Sequence, residues 1–151
     1  MISSFRNLRS GKEVTCMIST RGRYALRVML ELAKGDPDQW ISLDSIAQTQ
    51  HMSKKYLESI IRSLAADGYV QGLRGKGGGY RLLRKPEDIR LSEILRSAEG
   101  SLESVACLRN PDYVCDRKAE CETLPPWIRF DGMVNDFFDG LTLQDLVDGN
   151  I

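Results

Sequence analysis

The stretch MSKKYLESIIRSLAADGYV, residues 52–70, followed at once by QGLRGKGGGYRLL, residues 71–83, decides the fold of this chain. Ser53 is a favourable N-cap, because its side-chain oxygen can accept from a free N–H in the first turn of a helix. Behind it Tyr56, Leu57, Ile60, Ile61, Leu64 and Ala65 recur at i, i+1, i+4, i+5, i+8 and i+9, an apolar stripe of helical period. Gly68 stands where a left-handed residue ends a helix. Lys54, Lys55, Glu58, Ser59 and Arg62 take the outer side. Tyr69–Leu73 and Tyr80–Leu83 then read as two short strands. The turn RGKGGG, residues 74–79, joins them, since glycine relieves the positive-φ penalty of a tight reversal.

Upstream, Tyr24, Leu26, Val28, Met29, Leu30 and Leu32 predict a helix over 23–34, closed by Gly35-Asp36-Pro37-Asp38. Trp40-Ile41 is a short apolar lead-in. Ser42 caps a brief helix over 43–48 with Leu43, Ile46 and Ala47 inward. The order is helix, short helix, turn, helix, β-hairpin. That is a winged helix-turn-helix, mostly α with a small β-hairpin wing. It is expected to span residues 17–86, because Met17-Ile18-Ser19-Thr20 opens the patterned sequence like a natural start. Residues 1–16, with Cys16, then form an N-terminal extension expected to be disordered.

The charge distribution agrees with a nucleic-acid partner. Residues 1–86 hold 15 basic and 7 acidic side chains, and residues 87–151 hold 6 and 14, so a net charge of zero conceals a basic half and an acidic half. In the basic half, Lys54 and Lys55 stand at a helix N-terminus, where cations and free N–H groups favour phosphate oxygens. Tyr56 lies beside them. Glu58 and Ser59 are placed to read base edges in a major groove: a carboxylate accepts from the cytosine amino group, and a hydroxyl suits several bases. Arg62 extends the same side. At the hairpin tip, Arg74 and Lys76 alternate with Gly75 and Gly77, little bulk around a cation that can enter a narrow minor groove. A phosphate-binding P-loop is not expected, because Gly77 follows Lys76 where Ser or Thr is required and no four-residue spacer separates the glycines.

Composition, with 42% hydrophobic and 28% charged residues, is that of a folded globular chain. No apolar run reaches the ~20 residues of a membrane helix. The N-terminus lacks a signal-like apolar core, so a cytoplasmic, reducing location is expected.

The remaining residues, 87–151, are expected to form a sensor and dimerisation region. IRLSEILRSAEG, residues 89–100, predicts an amphipathic helix. A loop, CLRNPDYVCDRKAEC, residues 107–121, gathers three of the four cysteines. Pro125 and Pro126 start a further helix. Trp127, Phe130, Val134, Phe137 and Leu141 follow at near-heptad spacing, a narrow seam suited to a partner helix. TLQDLVDGNI, residues 142–151, adds a short helix capped by Thr142.

The loop spacing, C-x7-C-x5-C, does not match the C-x2–4-C pairs usual for zinc. It also lacks the C-x-x-C of a thiol oxidoreductase, so an enzyme is not expected. Flexible thiolates can converge on a soft metal centre, and iron–sulfur clusters are held mainly by cysteine. His51, the single histidine, sits before the second helix of the pair and reads as a turn residue rather than a ligand.

MISTRGRYALRVMLELA, MSKKYLESIIRSLAADGYV and RGKGGGY resemble the IscR-type family of bacterial winged-helix transcription regulators, over about residues 17–147. The resemblance implies a homodimer on a pseudo-palindromic operator in double-stranded DNA. It implies base reading at Glu58, minor-groove entry at Arg74, and dimerisation through the helix that carries the Trp127–Leu141 seam. It also implies an iron–sulfur cluster on Cys107, Cys115 and Cys121, with 2Fe–2S expected first and 4Fe–4S open. The histidine that the IscR pattern carries three residues after its last cysteine is Leu124 here, so the fourth ligand is open: Glu120, Glu122, a residue of the partner subunit or an exogenous thiol. The alternative is a cluster-free regulator of the CymR kind, which answers to a partner protein or to thiol oxidation.

Overall fold

The computed structural model describes residues 17–151. The expected extension 1–16, with Cys16, lies outside the described residues. Helix α1 (Thr20–Lys34) begins three residues before the start expected at residue 23. The reason is a cap: Ser19 Oγ accepts from Arg21 N, which supplies a partner to one of the free N–H groups of the first turn. Helix α2 (Leu43–Gln50) is capped by Ser42, and α3 (Lys54–Ala66) by Ser53. Between them His51 adopts φ 52° and ψ 45°, the left-handed conformation, and its N–H closes the end of α2. It is the turn residue of the helix pair.

The hairpin follows as β1 (Val70–Leu73) and β2 (Gly79–Leu82), antiparallel, in the register Val70↔Leu82 to Leu73↔Gly79. A third partner joins it that the sequence did not announce. Ile41 pairs with Tyr80 through two backbone bonds of 3.0 and 2.8 Å. The approach is close enough that a Cβ at Gly79 would lie 2.3 Å from the Ile41 carbonyl oxygen. The base of the wing is therefore tied directly to the residue before the α2 cap. A cation–π contact braces the same region, with the Arg81 guanidinium 4.4 Å from the centre of the Trp40 ring.

Helix α4 (Leu91–Glu99), the four-residue helix α5 (Ala106–Arg109), α6 (Leu124–Asp139) and α7 (Leu143–Asp148) complete the chain. The buried cluster runs across residue 86 without a break. Val28 and Met29 of α1, Ile46 of α2, and Leu57, Ile60 and Leu64 of α3 share it with Ile89, Ile94 of α4 and Leu143 of α7. Each fully buried side chain of this size contributes roughly 1.5–3 kcal/mol relative to exposure. α7 is held in place by an isolated bridge, Arg90 to Thr142, and by Leu143 N donating to Ile89 O at 2.8 Å.

Helix α6 joins the rest through its polar side and through Phe138, which packs against the core cluster. Asp131 is buried, and its Oδ1 accepts from Ser104 N at 2.9 Å. Arg96 of α4 reaches Asn135 Oδ1 at 2.6 Å and Asp139 at 3.1 Å. The Ser92 hydroxyl donates to Asp139, and together with Arg96 it holds that carboxyl below the usual carboxylate range. The apolar side is left in solvent: Trp127, Phe130, Met133 and Phe137 are all exposed. Two members of the seam read from sequence differ. Val134 is half-buried, and Leu141 packs against the core cluster. The helix ends at Asp139, so Leu141 lies beyond it and turns back, its carbonyl accepting from Leu91 N at 3.0 Å. Met133, absent from the seam, takes a place on the exposed side.

Candidate nucleic-acid interface

Helix α3 buries Leu57, Ile60, Ile61 and Leu64, which turns the opposite side outward. Ser53, Lys54, Lys55, Glu58 and Arg62 are exposed there. Ser53 Oγ is occupied as the cap, accepting from Tyr56 N at 3.3 Å. Tyr56 is half-buried, its ring edge-on to Tyr24 with centroids 5.8 Å apart. Lys54 pairs with Asp44 of α2 at 2.7 Å, and the hydrogen bond to that carboxylate holds its ammonium above the ordinary lysine value. A phosphate at this position has to compete with Asp44.

Ser59 is placed differently from the expectation of a free hydroxyl. It is half-buried, donates to Tyr56 O at 2.8 Å and accepts from Arg21 Nη1 at 3.1 Å. The side chains of Lys55, Glu58, Arg62, Arg74 and Lys76 have no hydrogen-bond or ion-pair partner among the described residues. They are the cations and the carboxylate left open toward a ligand.

The wing tip is exposed from Gln71 to Gly77. Gly75 and Gly77 have φ of 98° and 80°, where a side chain is strained, and Gly78 N donates to Gly75 O at 3.0 Å to close the turn. At Gly78 a Cβ would meet the Leu73 carbonyl oxygen at 2.1 Å. The three glycines thus hold Arg74 and Lys76 on a narrow projection for geometric reasons.

The three cysteines of the loop are half-buried free thiols. Cys107 sits on α5, which Arg109 pins by two bonds, 3.0 and 2.7 Å, to Glu103 O. Cys115 and Cys121 line one open concavity with Arg117, Glu120, Glu122 and Thr123, and Cys107 is not part of it. The Cys121 sulfur lies 3.4 Å from Thr123 Oγ1, and this contact, with the backbone N–H groups that begin α6, lowers the thiol below its ordinary value. No group of three or more His, Cys, Asp or Glu side chains gathers as a metal site among the described residues. The expected three-thiolate donor set is therefore not assembled in this arrangement. Two thiols face one space, the third is held on α5, and Leu124 offers no donor.

Among the described residues no helix is long and apolar enough to cross a membrane. An exposed helix preceded by a capped turn helix, beside a glycine-tipped basic wing, defines a winged helix-turn-helix regulator. Comparison with known proteins agrees. The family model described as Rrf2, iron-dependent transcriptional regulator, matches residues 18–149, and the chain belongs to the Rrf2 family of transcriptional regulators. It is 40% identical to the HTH-type transcriptional regulator CymR of Bacillus subtilis, over 85% of this chain and 88% of that protein. The solved structure of CymR, the global cysteine regulator of B. subtilis, superposes with a TM-score of 0.71 at 38% identity, covering 87% of this chain and 95% of that one. T. potens IscR superposes at 0.69 with 30% identity, covering 93% and 90%. These relatives are transcriptional regulators rather than enzymes, and the chain is a DNA-binding regulator of the same family.

Proposed function

We propose that this regulator is a cytoplasmic homodimer that reads a pseudo-palindromic operator. The outer side of α3 enters the major groove and the 74–77 tip reaches the adjacent minor groove. Two copies then present their reading helices about one helical turn, roughly 34 Å, or a multiple of it, apart. The observation that carries this reading is the set of open charges on α3 and the wing: Lys55, Glu58 and Arg62 on one element, Arg74 and Lys76 on the other. Lysines supply salt-dependent affinity, Glu58 discriminates bases, and Arg74 reads groove width. The wild-type protein should enrich a defined duplex from a randomised pool. Arg74→Ala should lower affinity for that duplex by about tenfold and relax a preference for A/T-rich sequence beside the half-sites. An unchanged footprint for Arg74→Ala removes the wing from the interface.

For the sensing half, we propose that residues 107–121 report thiol state through Cys115 and Cys121. Their shared concavity and the lowered Cys121 thiol support this over a cluster. Peroxide oxidises a thiolate to a sulfenic acid, its other oxygen leaving as water, and a resolving thiol then condenses with that sulfenic acid to a disulfide with loss of a second water. A second reading, a cluster held by the loop, is favoured by the description of the family model as iron-dependent and by the carboxylates of Glu120 and Glu122 in the same concavity. Iron and sulfide content after anaerobic purification separates the two. Colourless protein whose duplex affinity changes with peroxide, and no longer does so in Cys121→Ser, supports the thiol reading. Brown protein with stoichiometric iron and sulfide overturns it.

A further inference from the structure

The first turn of α1 does more than begin a helix. Glu99, the last residue of α4, sends one carboxylate oxygen into it, and Oε1 accepts from Ser19 N at 2.8 Å, Ser19 Oγ at 2.8 Å and Gly22 N at 2.9 Å. A carboxylate at a helix N-terminus is well placed both for the free N–H groups and for the helix dipole. The seat is close-fitting: a Cβ at Gly22 would lie 2.4 Å from that oxygen.

From the same turn Arg21 reaches the other way. Its Nε donates to Ala98 O at 3.1 Å, in the last turn of α4, where carbonyls lack intrahelical partners and the dipole favours a cation. Its two terminal nitrogens hold Ser59 of α3, Nη1 on the hydroxyl at 3.1 Å and Nη2 on the carbonyl at 3.0 Å. Ser63, one turn further along α3, donates from its hydroxyl to Ser97 O at 2.8 Å. One edge of α3 is thus fastened to the C-terminal turn of α4 by three guanidinium bonds and one hydroxyl. The planar fork makes the joint directional, because an arginine held at three points fixes position and angle in a way a single ammonium contact does not.

We propose that Arg21 is a positioning residue for DNA reading: it sets the pose of α3 in the groove through Ser59 and contacts no phosphate itself. The inference rests on the assignment of α3 as the reading helix. It explains why a basic residue of α1 is half-buried and fully engaged while Lys55 and Arg62 beside it are open. Adjusting a reading helix by a fraction of a turn spoils base contacts but leaves backbone attraction intact, because base contacts need aligned donors and acceptors whereas phosphate attraction is long-ranged.

The test uses Arg21→Lys, which keeps the charge and loses the fork, alongside Arg21→Ala. Affinity is measured by fluorescence anisotropy against the duplex that wild-type protein enriches from a randomised pool, and against poly(dI–dC), each across a salt series. Arg21→Lys should lose about tenfold on the selected duplex, with poly(dI–dC) affinity and both salt slopes unchanged. Ser59→Ala should reproduce part of that loss, and combining it with Arg21→Lys should add little. An unchanged ratio between the two DNAs overturns the proposal. So does a parallel loss on both DNAs with a slope lower by about one, which identifies a phosphate contact. Wild-type protein that enriches no duplex overturns the reading-helix assignment itself, a result distinguishable from either of these.

Discussion

A Phe130→Glu protein is expected to behave as a monomer and to lose about a hundredfold or more in affinity for the duplex that the wild type selects. Trp127, Phe130, Met133 and Phe137 form an exposed apolar side on α6, and the opposite side of that helix is committed to Asp131, Asn135 and Asp139 contacts. Phe137 is also held edge-on by Phe138, with centroids 5.1 Å apart, and Phe138 packs on the core cluster. The exposed ring is therefore presented by a fixed support. Large aromatic side chains on such a surface carry most of the energy of an interface, and a carboxylate at its centre is left desolvated and unpaired. The effect on DNA follows from linkage. A dimer that has bound one half-site holds its second reading helix near the other half-site at high effective concentration, and a monomer does not.

Because Phe130 lies outside the protomer's core cluster, its replacement should leave helix content and the protomer fold intact. Sedimentation velocity at micromolar concentration and circular dichroism check both parts together. A dimer that persists in Phe130→Glu means that α6 does not form the interface.

Gly79→Ala is expected to cost about 2–3 kcal/mol of stability and to remove most specific DNA binding. The added methyl would meet only backbone: Ile41 O at 2.3 Å, Ile41 C at 2.5 Å and Ser42 N at 2.9 Å. No flexible side chain can move aside, so the Ile41–Tyr80 pair has to open. Two backbone bonds are lost with it. Ser42 is displaced as well, and its hydroxyl caps α2 by accepting from Ser45 N at 3.1 Å. One methyl thus loosens the wing and the first helix of the reading pair. Gly132→Ala is the matched control. It lies in α6 with nothing within 4 Å of the added Cβ, so relief of the helical glycine penalty should raise stability by about 0.5–1 kcal/mol. Urea midpoints at constant slope give both values. A Gly79→Ala protein with an unchanged midpoint and unchanged duplex affinity would show that the wing is not braced through Ile41.

Three local signals carried the fold in the order of residues: the apolar stripes of α1 and α3, the serines at positions 42 and 53, and the glycines of the hairpin tip. Each depends on neighbours within a few positions, so periodicity and capping chemistry expose it. The turn at His51 belongs to the same category, since the chain has to break between the helices that Ser42 and Ser53 cap, although its left-handed conformation is seen only in the structure. The exposed faces of α3 and of the wing followed once the buried stripes were assigned.

Other features came from contacts between residues far apart in the chain. The Ile41–Tyr80 pair rests on a single residue, too short to show alternation. Arg21 meets Ser59 across 38 positions and Ala98 across 77, and nothing near Arg21 in the chain distinguishes it from Arg23, which stays exposed. Ser59 reads as an open hydroxyl from helical phase, yet the guanidinium closes it. The seam of α6 was legible as apolar, but its end was not, because Leu141 turns back to the core only after the helix stops at Asp139. The loop shows three thiols at fixed spacing, and spacing along a loop leaves their directions free. Periodic order along the chain is set by local backbone chemistry, whereas the pose of one element on another is set by which distant polar groups find partners when the core closes.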